Sequence, residues 1–283
     1  MLDEFDVLLN HPHLNNAEFF GSLRSLASLQ PALSLLIAGR QSLSTLNTQT
    51  QEYNTATGSP YFNILREITL EPLADEQSKT LLKKAGERFN IEDRRFISKI
   101  AGTHPYLLQT AASALWEAYE DGETDPLQRR EQAGQQLYNN AELTFNDTWR
   151  LWTPMTRMAV MTIALTQIPK LVKNNTFTQK RLLREMKDFT GQELRRLEKT
   201  GFITKDSGNP SGWRICPEVL LWWLADELTR AVRDEKSFNE WTQKQEWELT
   251  NAQKQQLSQT GQSIANNVIA SGIFELIKLV VLG

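Results

Sequence analysis

Cysteine is nearly absent from this 283-residue chain. Cys216 stands alone, which excludes an intramolecular disulfide and a cysteine-rich metal site and fits a reducing compartment. Histidine is almost as scarce. His11, His13 and His104 are the whole supply, too few and too scattered for a histidine metal centre, and His11 and His13 flank Pro12 as loop residues do. A dominant charge is missing too: 31 Lys and Arg against 34 Asp and Glu leave a net charge of -3, which argues against coating nucleic acid or anionic lipid by bulk charge. No stretch matches the phosphate loop G-x-x-x-x-G-K-[ST]. No basic-then-apolar leader opens the chain, so the expected address is the cytoplasm. What remains is ordinary folding material, 40% hydrophobic and 23% charged, with a length comfortable for two domains.

The first distinctive string is Leu2-Asp3-Glu4-Phe5-Asp6. An apolar residue leading into adjacent carboxylates is the pattern of a Walker B strand end. There the first carboxylate holds the water shell of magnesium and the second activates the attacking water. The competing view is that the pair is an accident of composition. Phe19, Leu23, Leu26 and Leu29 then recur at helical spacing. Leu33–Ala38 reads as a buried strand of a parallel sheet, closed by Gly39 and Arg40. Ligands of open α/β sheets sit beyond the carboxyl ends of strands, which places Arg40 beside Asp3 and Glu4. A solvated loop arginine is the equal alternative. Asp6 reads as a plain loop carboxylate. Residues 41–60 read as a long polar loop, and Glu67–Leu70 as a second strand stopped by Pro72.

From there the pattern is helical. Asp75 opens one helix with Leu81, Leu82, Ala85 and Phe89 on one face. Phe96, Ile97 and Ile100 mark another that stops at Gly102, and Pro105 begins a third with Leu108, Ala111, Ala112, Leu115 and Tyr119. A further unit begins near Glu142. One helix carries Met155, Met158, Val160, Ile163 and Leu165; Thr178 caps a second with Leu182, Leu183 and Met186; a third runs from Gln192 to Gly201. Phe202–Thr204 and Trp213–Ile215 flank the turn cluster Ser207–Gly212, as in a hairpin, and Val219–Ala231 closes the unit as a helix. Three helices and a hairpin in this order spell a winged helix.

Taken in order, these strings resemble the rear part of a prokaryotic AAA+ or STAND-type ATPase, akin to archaeal ATPases and origin-recognition initiators. Leu2–Asp6 stands as Walker B, Leu35–Arg40 as the sensor-one strand, and Ala101–Gln109 as the lid segment whose proline contacts the nucleotide base. Thr103 occupies the place where that segment usually has glycine. The resemblance covers Leu2 to about Ala231 and implies a mainly α chain with a remnant of an α/β P-loop sheet, then a helical lid and a winged-helix domain. Its domains would be 1–72 for the ATPase core, 73–140 for the lid and 141–235 for the winged helix, and beyond it residues 236–283 read as a linker and amphipathic helix. It implies ATP and Mg2+ as ligands of the complete protein. Asp3 would serve the metal, Glu4 and Arg40 the chemistry, and Pro105 the base, with His104 or Tyr106 at the rim. The missing phosphate loop and first strands lead us to expect a truncated frame, a split gene or a misplaced start. The chain alone is expected to bind no nucleotide and to hydrolyse none.

The function implied is a nucleotide-dependent signalling switch. The alternative is a non-enzymatic winged-helix protein that binds DNA or a protein partner. Residues 178–205 carry eight basic side chains (Lys180, Arg181, Arg184, Lys187, Arg195, Arg196, Lys199, Lys205) against four acidic ones (Glu185, Asp188, Glu193, Glu198). That excess is small for a DNA reader, and winged helices of the resembled family commonly serve as rigid connectors. A protein partner or the missing N-terminal ATPase half is the expected partner, with an oligomer and DNA left open. Residues 236–262, Gln-rich with Trp241 and Trp247, read as a surface helix or linker. Ile264–Gly283 is long enough to span a bilayer, but Asn266, Asn267, Glu275 and Lys278 interrupt it, so a docking amphipathic helix is preferred to a membrane anchor.

Overall fold

Asn16, Ser42, Asn90, Asp125, Thr153 and Asp234 each cap the first turn of a helix with a side-chain oxygen. A computed structural model describes residues 1–51, 60–168 and 191–269. The described residues are mainly helical, and the chain divides into two compact units, Met1–Leu70 and Glu71–Gly283.

In the first unit a 3-10 helix, Phe5–Asn10, precedes α1, Ala17–Leu29, whose first turn is capped by Asn16 Oδ1 accepting from Phe19 N at 2.8 Å. Only the front of the expected stripe on α1 meets the core. Phe20 is buried and Phe19 and Leu23 pack beside it, while Leu26 and Leu29 are exposed. The stretch expected to be all loop after residue 41 holds a short helix, α2, Leu43–Gln49. Ser42 Oγ caps it and Leu46 anchors it in the core, two local signals that outweigh its polar composition. Residues 52–59 of that expected loop lie outside the described residues. Phe5, Phe20 and Phe62 meet edge to face or tilted, with ring centroids 5.6–6.3 Å apart.

Among the described residues of this unit the sheet amounts to one parallel bridge, Leu2 to Ile37, flanked by Leu2 N to Leu36 O and Ala38 N to Leu2 O, both 2.9 Å. Leu33–Ala38 is therefore not the buried strand expected, since Leu33 and Leu36 are exposed. Glu67–Leu70 forms no strand, and Ile68 and Leu70 are 77% and 91% exposed. A strand is stabilised by its neighbours, and no described segment pairs with this one. Amide exchange in the first unit, including Leu2 and Ala38, is therefore expected to be at least tenfold faster than in the core helices of the second. Equal protection of the two units would show that the small aromatic core suffices.

The second unit is built of α3 (Asp75–Lys83), α4 (Ile91–Ala101), α5 (Pro105–Glu120), α6 (Pro126–Leu151), α7 (Pro154–Gln167) and α8 (Gly191–Lys199). A hairpin of β1 (Ile203–Lys205) and β2 (Trp213–Ile215) follows, then α9 (Glu218–Ala231), α10 (Glu235–Lys244) and α11 (Asn251–Ile269). Proline stands first in α5, α6 and α7, where its missing N–H costs nothing. Helix α4 ends at Gly102, whose φ of 59° suits glycine. Helix α6 runs through residues 140 and 141, so the expected lid and the helices after it share one helix and one core. The hairpin is antiparallel, with Ile203 opposite Ile215 and Thr204 opposite Arg214. Asn209 in its loop is buried and accepts from the Thr166 hydroxyl of α7 at 2.8 Å, pinning the loop to that helix. The expected helix capped by Thr178 lies outside the described residues.

Helix α9 is apolar all round from Val219 to Ala225 and is buried on all sides, among α4, α6, α7, β2, α10 and α11. The Gln-rich tail is not a loose surface linker. Trp247 is buried and donates to Pro154 O at 3.0 Å, and Gly261 of α11 lies so close to Val232 that a Cβ there would come within 2.5 Å of its Cγ1. Buried Gln245 accepts from Trp149 Nε1 at 2.9 Å, which is how a polar segment enters a core without an unpaired group. Residues 270–283, most of the expected amphipathic helix, lie outside the described residues.

Candidate functional site

Asp3 and Glu4 end one extended segment, and Gly39 and Arg40 end the other. The parallel bridge between Leu2 and Ile37 sets these two ends side by side. Phe5 N then donates to Ala38 O at 2.9 Å, continuing the pairing past the carboxylates. Asp3 Oδ1 accepts the Glu4 amide at 2.9 Å. Glu4 itself sits in the left-handed region, with φ 49° and ψ 39°, where non-glycine residues are uncommon. Strained backbone of this kind at a strand end is a mark of functional turns. The side chains of Asp3, Glu4 and Arg40 are all exposed, so two anions and a cation share the carboxyl end of a parallel pair. Among the described residues no group of three or more His, Cys, Asp or Glu side chains is arranged to hold a metal ion.

Sequence reasoning left Asp6 without a role. It is 9% exposed, and its Oδ1 accepts the Arg40 amide at 3.3 Å. Gly39 comes so close that a Cβ there would stand 2.8 Å from the same oxygen. The glycine before Arg40 was the available signal, because a close backbone approach is one reason for glycine at a strand end.

Pro105 belongs to the other unit. It is the first residue of α5, at the corner between α4 and α5. His104, the N-cap, gives no side-chain cap; its ring lies against Phe202, centroids 6.0 Å apart, and its Nδ1 is buried with no hydrogen-bond partner. Burial pushes the His104 pKa down. Tyr106 is exposed and its hydroxyl donates to Asn140 O at 3.2 Å. A Cβ on Gly102 would come within 3.0 Å of Cys216 Sγ, so the corner is seated on the strand leaving the hairpin. Burial raises the Cys216 thiol and the Glu218 carboxyl beside it. A thiol held protonated in this way is a poor nucleophile.

Of the basic residues weighed for DNA, Arg195, Arg196 and Lys199 on α8 and Lys205 on β1 are exposed, with Glu193 and Glu198 half-buried on the same helix. Lys199 Nζ lies 3.9 Å from the Glu71 carboxylate, and Lys205 lies 5.9 Å from the Trp213 ring. Lys180, Arg181, Arg184 and Lys187 lie outside the described residues. No described helix is long and apolar enough to cross a membrane. No protein-family model matches the chain, and neither a curated protein nor a solved structure does.

Proposed function

We propose that this chain carries the rear half of a nucleotide site of AAA+ or STAND type, a nucleotide-dependent switch that works with a phosphate loop supplied by other residues. The pairing of Leu2 with Ile37 carries this reading, because this single parallel bridge sets the Asp3–Glu4 end beside the Gly39–Arg40 end. In this role Asp3 holds the water shell of Mg2+ and Glu4 polarises the attacking water. Arg40 faces the γ-phosphate, where a fixed cation stabilises charge that builds up in the transition state. Residues 73–140 act as lid and 141–235 as winged helix, the latter a rigid connector whose loop is pinned by Asn209.

The chain alone is expected to show no magnesium-dependent ATPase activity above buffer. A fusion or complex that supplies a phosphate-loop half is expected to turn ATP over. In it Glu4→Gln lowers kcat by about 100-fold or more and retains bound ATP. Asp3→Asn abolishes the magnesium dependence, and Arg40→Ala lowers kcat by about 100-fold. Turnover equal to the parent in all three variants would sink the Walker B assignment. The exposed Arg195, Arg196 and Lys199 favour one second reading, a winged helix on duplex DNA. Salt-dependent duplex binding by the chain, lost in Arg195→Ala with Arg196→Ala, would decide for it.

A further inference from the structure

Two turns that carry the proposed chemistry are separated by more than 30 residues, and one buried carboxylate joins them. Asp6 lies in the first turn of the 3-10 helix, directly after the strained Glu4 and the core residue Phe5. Two bonds cross from this turn to the other: Phe5 N to Ala38 O, and Arg40 N to Asp6 Oδ1. The first is ordinary backbone pairing. The second exists because Gly39 has no side chain, so the carboxylate can reach the amide beyond it.

We propose that Asp6 is a positioning residue, which ties the Arg40 turn to the Asp3–Glu4 turn and holds the carboxylates and the guanidinium in one frame. The physical case rests on three features together. Asp6 is nearly buried, its oxygen is spent on a backbone amide rather than on solvent, and the space it uses is the space a side chain at position 39 would fill. A carboxylate accepting a backbone N–H makes a charge-assisted bond, here a long one at 3.3 Å. Arg40 gains from it a fixed backbone direction, so its side chain starts from a set point. Without the clasp the arginine turn loses its bond to the first turn, while the pairing of Ala38 with Leu2 and Phe5 remains. Loss of such a constraint displaces a charged group by fractions of an ångström to an ångström, which is enough to slow a reaction that depends on its placement.

The catalytic half of this proposal rests on the nucleotide-site reading above, and the clasp itself does not. Amide exchange on the full chain tests the clasp. In Asp6→Ala the Arg40 amide is expected to exchange about tenfold faster, with Leu2 and Ala38 amides within about threefold of the parent. Asp6→Asn keeps an acceptor oxygen and should restore the slow Arg40 amide. Gly39→Ala should accelerate it by crowding the carboxylate away. Unchanged exchange at Arg40 in Asp6→Ala overturns the clasp, and so does an equal acceleration of Leu2, Ala38 and Arg40, which would make Asp6 a general prop of the fold. Kinetics of the fused protein test the consequence. Asp6→Ala should lower kcat about tenfold with KM for ATP changed less than about twofold, and Asp6→Asn should recover most of the loss. A fusion with Asp6 intact that is inactive sinks the nucleotide reading and the catalytic half with it, while the exchange data still decide the clasp.

Discussion

Asp93→Ala is expected to cost about 3–5 kcal/mol in the unfolding of the Glu71–Gly283 unit, because it strips a buried charge of its partner. Asp93 has no exposed surface, and Arg130 Nε donates to its Oδ1 at 2.9 Å from a side chain that is 10% exposed. Its other oxygen accepts from the Tyr119 hydroxyl at 2.7 Å and from the Asn90 amide at 3.1 Å. The Asn90 side chain in turn accepts the Asp93 amide at 2.8 Å, which closes a reciprocal cap on α4. One carboxylate thus joins the start of α4 to α5 and α6. Burial raises the Tyr119 pKa, and its bond to Asp93 adds to that. Removing the carboxylate leaves the Arg130 guanidinium buried and unpaired and opens the cap. Asp93→Asn keeps the cap acceptor and should cost less. Pairing Asp93→Ala with Arg130→Met should recover part of the loss, since the orphaned charge goes with it. Urea unfolding followed by circular dichroism reads these differences. A single mutant within about 0.5 kcal/mol of the parent would show that the network adds nothing net.

Trp223→Ala should be comparably severe, at about 3–5 kcal/mol, through lost apolar burial and an unfilled cavity. Trp223 is 1% exposed and meets Trp149 and Phe145, with ring centroids 5.6 and 6.1 Å away. Its Nε1–H is buried without a partner. A buried unsatisfied donor costs about 1–3 kcal/mol, so Trp223→Phe loses volume but relieves that cost and should fall well under half the alanine effect. Equal losses for phenylalanine and alanine would mean that the indole N–H is satisfied in solution.

Helix patterning in residues 75–120, 154–167 and 191–231 could be read from the chain because each signal there is local. Asp75, Gly102 and Pro105 each act within a turn of where they stand. Helix α6 was illegible: its inward face uses small or dispersed residues, Ala133, Leu137, Ala141 and Phe145, in a Gln- and Asn-rich sequence. Strand-like Glu67–Leu70 misled for the opposite reason. Its residue types suit a strand, but pairing is decided by a distant neighbour that no local pattern encodes. The candidate site divides along the same line. Asp3, Glu4 and Arg40 could be named from motif order. Asp6 could not, because it accepts from the amide of a residue 34 positions away. The tail was misjudged because glutamine and threonine read as surface. Here Gln253, Gln256 and Thr260 are buried, and Thr260 donates its hydroxyl back to Gln256 O along the helix.

Helix α9 has one more consequence, for the order in which the chain is made. Helices α4, α6 and α7 leave the ribosome before the segment that fills the space among them, and α10 and α11 follow it. Until residue 218 and its neighbours emerge, Phe145 and Trp149 have no Trp223 to cover them. It follows that the nascent chain passes through a stage with an open apolar trench along α6, the period when a chaperone would be most needed. That stage ends only as the last apolar turns of the central helix arrive.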